Sequence, residues 1–207
     1  EASNNALLQA LPNAEGNAQL SLVQALGDTR FAAAVPQLAT LAKSSDPNLV
    51  KVSLYALARI GDPSSLKLLN AAAAKSGYSY DVTDATSSYL LYLNRLAATG
   101  HKGEAEKTAK KLLKKASGQV HTRTAALKIV TDIQGENSVA LLTGAMKDKN
   151  AEYREAALKF ARPLLTETNS AQWITAFNKV DNGAKAGILN MFGDKATAAA
   201  LPLALQS

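Results

Sequence analysis

Apolar residues recur at three- and four-residue spacing along almost the whole chain, in segments ended by Gly, Pro or short Asp/Asn/Ser clusters. That is the period of helices with one buried face, and no stretch alternates as a half-buried strand would. Caps and breakers divide the pattern into about thirteen helices. The first runs over 4–11 and stops before Pro12-Asn13. The second, 16–26, stops at Gly27-Asp28, where Gly27 suits a left-handed cap and Asp28 can begin the next turn. The third covers 31–43. The fourth, 47–60, carries Pro47 in its first turn, where a missing N–H costs nothing, and ends at Gly61-Asp62-Pro63. Later helices are predicted over 64–74, 82–98, 103–116, 120–134, 136–147, 151–166, 171–179, 183–192 and 195–205.

The punctuation is periodic. Gly27, Gly61, Gly100, Gly135 and Gly193 are separated by 34, 39, 35 and 58 residues, the last step spanning two shorter units with a break near 166–169. Residues 27–38 (GDTRFAAAVPQL) return at an offset of 166 as residues 193–204 (GDKATAAALPLA), with Pro36 aligned on Pro202. Arg123-Thr-Ala-Ala-Leu-Lys returns at an offset of 31 as Arg154-Glu-Ala-Ala-Leu-Lys. Units of roughly 30–40 residues that cannot bury their apolar faces alone stack on one another. The fold class expected is therefore all-α: a right-handed α-solenoid of about six antiparallel helix pairs, forming one domain over 1–207.

Leu22-Val-Gln-Ala-Leu-Gly-Asp, Val35-Pro-Gln-Leu-Ala-Thr-Leu and Leu57-Ala-Arg-Ile-Gly-Asp resemble the A-helix and B-helix grammar of HEAT-like repeats. Lys149-Asn-Ala-Glu-Tyr-Arg-Glu-Ala-Ala-Leu-Lys resembles the start of a HEAT B helix, including its Arg. The resemblance is strongest over 20–62 and 120–160 and faint over 76–100, and it implies a surface for binding macromolecules. Similar segments occur in exported multidomain bacterial proteins, and the lack of cysteine and of an initial Met suggests an exported or periplasmic setting. By the same resemblance, Arg123 and Arg154 would tie adjacent repeats through carbonyls or carboxylates.

Composition narrows the chemistry. The chain has no cysteine, which excludes disulfides, a thiol nucleophile and Cys-containing zinc sites. No apolar run approaches the ~20 residues that cross a bilayer. Phosphate-cradling Gly-rich loops, a G-x-S-x-G elbow and paired zinc histidines are all missing from the sequence, so no cofactor and no catalysis are expected. His101 and His121 stand in different units without carboxylates at metal-ligand spacing. Asp81 and Asp84 read as helix caps. A helix-repeat DNA glycosylase is the one enzyme class to weigh. It would need a carboxylate beside aromatic rings, for which only Trp173 with Asp181 is available.

The net charge of +6 is local: eight cations and two anions lie between Gly100 and Val130, and the rest of the chain is balanced. In the helix over 103–116, Ala105, Ala109, Leu112, Leu113 and Ala116 form the apolar stripe. Lys107, Lys110, Lys111, Lys114 and Lys115 form a solvated face or, alternatively, a polyanion patch. Tyrosine and arginine mark a second candidate. Lys51, Tyr55 and Arg59 are spaced i, i+4, i+8, opposite Val50, Leu54, Leu57 and Ile60, so they are expected on a concave surface as binding anchors. Tyr78 and Tyr80 are expected to line a groove from a loop, Tyr92 to lie at the edge of a helix face, and Tyr89 to be core. The function this supports is a non-enzymatic scaffold for a protein, peptide or glycan. Nucleic acid bound through 102–128 is the alternative. The last predicted helix, 195–205, matches an A helix without its B partner and is poorly charged, so the chain is expected to continue past Ser207 in a longer polypeptide.

Overall fold

The computed structural model describes residues 2–194, and every described element is helical. Twelve α-helices are described: α1 (Ala2–Ala10), α2 (Gly16–Asp28), α3 (Val35–Leu41), α4 (Pro47–Ile60), α5 (Leu66–Lys75), α6 (Ala85–Ala98), α7 (Lys102–Lys115), α8 (Val120–Gln134), α9 (Val139–Ala145), α10 (Ala151–Ala161), α11 (Ser170–Phe177) and α12 (Asn182–Asp194). They correspond one to one with the first twelve predicted helices. The thirteenth, over 195–205, and the open end inferred from it lie outside the described residues. The fold of the described residues is all-α, built from packed neighbouring helices.

Short-range chemistry places the ends. Asp46 caps α4 by accepting from the Asn48 N–H at 2.9 Å, with Pro47 in the first turn as expected. Asn150 caps α10 by accepting from the Tyr153 N–H at 3.0 Å. Gly61 closes α4 in the left-handed conformation (φ 75°). Single 3₁₀ turns, 32–34, 63–65 and 135–138, lead into α3, α5 and α9.

Two expectations about ends are corrected. Gly27 is not a left-handed cap: it lies within α2, and Arg30 (φ 55°) takes the left-handed position after it. Gly27 is instead a close-approach residue, since a Cβ there would lie 2.6 Å from the Ala56 Cα of α4. The helix expected to reach Thr166 stops at Ala161, because Pro163 cannot donate to the ladder and the chain tightens into a 3₁₀ turn.

The contacts divide the chain into two compact units, with the boundary between Thr122 and Arg123. In the first, α2, α4 and α6 pack side by side, while α1 packs on α2, α3 on α4, and both α5 and α7 on α6. Its core is Val23, Leu26, Leu38, Leu54, Leu57, Leu69, Tyr89, Leu93 and Leu96, with Ala56, Ala58 and Ala73 where helices approach closely. In the second unit α9 packs on α10, α11 on α12, α10 beside α12 and α9 beside α11. Trp173, Phe177, Ile188 and Phe192 fill that core.

Candidate binding face on α2, α4 and α6

In the first unit, α4 has neighbours on three sides (α2, α3 and α6) and therefore keeps one free stripe. Leu49, Leu54, Leu57 and Ile60 are buried, whereas Lys51 and Tyr55 are exposed and Arg59 half-exposed. The same i, i+4, i+8 geometry puts Ser87, Leu91 and Arg95 on one stripe of α6, and Gln24 and Asp28 share a stripe of α2. These stripes line up into a groove of about 330 Å³ lined by Gln24, Lys51, Val52, Tyr55, Asp84, Ser87, Ser88 and Leu91. Tyr55 is one of three large hydrophobic side chains exposed among the described residues, and the only one of them in the groove wall.

Charge is arranged along the groove in levels. At one end the Lys51 ammonium pairs with the Asp84 carboxylate at 2.5 Å, and that hydrogen bond raises the lysine above its ordinary pKa. Asp84 was expected as a helix cap, but its side chain caps nothing. Its backbone is left-handed (φ 48°), so α6 begins at Ala85, three residues later than predicted, and the carboxylate is freed for Lys51. One helical turn past Tyr55 and Gln24, beyond the residues that line the groove, the Arg59 Nε lies 3.6 Å from the Asp28 carboxylate. Between the two pairs the wall is Tyr55, Val52 and Leu91.

Burial divides the tyrosine set. Tyr80 is 80 % exposed and stands within electrostatic reach of Lys51. Tyr92 is a correction to the expected surface, whereas Tyr78 lines the shallow groove between α5 and α7 from a turn, with little of its own surface exposed. Tyr92 is fully buried, and its hydroxyl donates to the Asp62 carbonyl at 3.1 Å, satisfying the turn between α4 and α5. Burial pushes the pKa of its phenol, like that of Tyr89, well above the usual range. Tyr78 is 6 % exposed, donates to the Asn70 carboxamide oxygen at 3.2 Å, and accepts on its carbonyl from Thr122 at 2.7 Å. A one-helix wheel puts Tyr92 at an edge because it omits the neighbouring turn, which closes over that edge.

On α7, Ala105, Ala109 and Leu112 are buried, and Lys107, Lys110, Lys111, Lys114 and Lys115 are all exposed. Lys110 pairs with Glu106 at 2.6 Å across one turn. Lys111 and Lys115 border a shallow groove beside α5 with Lys67, Asn70 and Thr108. The rings beneath it, Tyr78 and Tyr89, are buried, so no base-stacking surface accompanies these lysines.

In the second unit, Arg123 pairs with Asp148 at 2.5 Å and lies 4.0 Å over the Tyr153 ring, while Arg154 donates to the Asp148 and Lys149 carbonyls at 2.8 and 3.0 Å. Arg123 ties α8 to the α9–α10 turn, as expected of a link between units, whereas Arg154 braces only the turn before its own helix. The Arg123 hydrogen bond holds the Asp148 carboxyl below its ordinary pKa. Trp173 is fully buried, and Asp181 accepts from the Ala184 N–H at 2.9 Å at the start of α12, so this pair forms no pocket with a stacking ring. His101 and His121 are exposed. Among the described residues no group of three or more His, Cys, Asp or Glu could hold a metal ion, and no helix is long and apolar enough to cross a membrane.

The α2–α4–α6 row with its partner helices defines the class: an all-α protein built of stacked helix pairs. Residues 4–89, which span α1 into α6, match the family model of the HEAT repeats. Over these residues the chain carries HEAT-like repeats. No curated protein matches the sequence.

Proposed function

We propose that this chain is a non-catalytic binding module that seats a peptide segment of a partner protein on the exposed face of α2, α4 and α6. The observation that carries the reading is the groove in which Tyr55 stands exposed between two charge pairs on three consecutive, well-packed helices. A rigid aromatic anchor costs little conformational entropy on binding, and the packed helices beneath hold it in place. HEAT repeats as a family generally serve as protein-interaction scaffolds, which supports the same reading. The polar levels on either side of Tyr55 would fix register while the apolar middle supplies contact area.

The test is selection of displayed peptides on the whole chain, followed by affinity measurement against Tyr55→Ala. The expected result is binding weakened by about 2 kcal/mol or more, as for a buried interface aromatic, with an unchanged melting temperature. Selected peptides that bind the variant as tightly as the parent would contradict the proposal.

A further inference from the structure

The C-terminal edge of the α2–α4–α6 face gathers three arginines, Arg30, Arg59 and Arg95, close enough for the charges of the first two to act on the third. Arg59 and Arg95 each lie one turn beyond a groove residue, Tyr55 and Leu91 respectively, and Arg30 follows the end of α2 in a left-handed conformation. Asp28 is the one acidic partner, 3.6 Å from Arg59. Among the described residues Arg30 and Arg95 have no carboxylate within ion-pair distance and no side-chain hydrogen bond, and the buried Nε atoms of Arg59 and Arg95 have no hydrogen-bond partner. Arg95 is pressed into this position: its Cγ would lie 2.5 Å from a Cβ on Gly61, so the glycine at the end of α4 makes room for its stem. Burial first, then the neighbouring Arg30 and Arg59 charges, lower the Arg95 pKa from its ordinary value.

Three guanidiniums, of which only Arg59 has a carboxylate partner, leave an excess of about two positive charges and several donors with a geometry suited to carboxylates. A helix C-terminus stabilises each cation a little, but it does not fill those donors. We infer that the peptide taken by this face is acidic, with a carboxylate seated on Arg30, Arg59 and Arg95 and an apolar side chain one helical turn away on Tyr55 and Leu91. The four-residue step from Tyr55 to Arg59 is about 6 Å of helix axis, the reach of about two residues of extended chain, so the expected ligand has its apolar and acidic residues at i and i+2. This rests on the peptide reading above and adds the charge and spacing of the ligand.

The test uses the whole chain and a fluorescein-labelled peptide of repeated Phe-Gly-Glu-Gly blocks, with a Phe-Gly-Lys-Gly peptide of equal length beside it, read by anisotropy. The expected result is binding of the acidic peptide and none of the basic one. Arg95→Gln and Arg30→Gln should each weaken binding about tenfold, as for a charge-assisted contact removed from one side. Because the Arg95 stem packs against Gly61, R95Q could disturb the fold. R30Q changes an exposed side chain and decides the matter alone. No binding of the acidic peptide, equal binding of the basic peptide, or an R30Q variant with parental affinity would overturn the inference. So would duplex DNA whose binding is lost in R30Q, which would assign the cluster to phosphate. If the displayed-peptide selection returns ligands that depend on Tyr55 but carry no acid and ignore Arg30, this inference fails and the peptide-binding reading stands. If the acidic peptide depends on the arginines but not on Tyr55, the apolar half of the inference fails, and with it the groove reading.

Discussion

At the scale of single residues, position in the stack rather than residue type decides what a tyrosine or glycine does. Tyr55 and Tyr92 both lie on helices of the α2–α4–α6 row, but one is exposed and the other seals a turn through its hydroxyl. Tyr92→Phe should therefore cost about 1 kcal/mol in a urea titration, the net worth of one hydrogen bond, whereas Tyr55→Ala should stay within about 0.5 kcal/mol of the parent. The reverse ranking would mean that Tyr55 is packed. Glycines divide in the same way. Gly27→Ala drives a methyl into Ala56 and should destabilise by about 1–3 kcal/mol, while Gly103→Ala, in a helix with open space around it, should be neutral or stabilising by up to about 0.5 kcal/mol. Equal melting of these two glycine variants would contradict the close approach of α2 and α4. The glycine punctuation was legible in the sequence, but only the packing shows that Gly27 serves contact rather than a turn.

At the scale of elements, local signals located the helices and failed where a side chain or proline acts across a boundary. Proline chemistry is local, and Pro163 could have ended the predicted helix at Ala161. Asp84 could not be read in this way, because its left-handed backbone places a carboxylate toward Lys51 on another helix. The α9–α10 turn offers a pH test. Asp148 has a depressed folded-state pKa, so its contribution to stability is present above the ordinary carboxylate pKa of about 4 and is lost as pH falls through the depressed value. Asp148→Asn should thus melt below the parent at neutral pH, by the equivalent of about 2 kcal/mol for a charge-assisted bond, and the difference should shrink on acidification. A difference that stays constant down to strong acid would show that the ion pair is not its source. On α7, exposed lysines without stacking rings predict only weak phosphate attraction. Any binding of duplex DNA at about 50 mM salt should be gone by about 200 mM, and retention at the higher salt would revive a nucleic-acid role for residues 102–128.

At the scale of the molecule, helix order over the described residues was legible because it is written in local spacing. The binding face was only partly legible. Lys51, Tyr55 and Arg59 could be seen on one helix, but their alignment with Ser87, Leu91 and Arg95 needs the knowledge that α4 and α6 are neighbours. A constant offset of 36 residues between those two triplets was the available signal. Charge misled in the opposite direction, since the basic run at Gly100–Val130 draws attention to α7, while the less conspicuous arginines gather at the end of the groove. Amide hydrogen exchange with a selected peptide bound tests the central claim most directly. The account predicts added protection confined to α2, α4 and α6, greatest over 51–59 and 84–95. Protection on α7 or within 123–194, with these three helices unchanged, would contradict it.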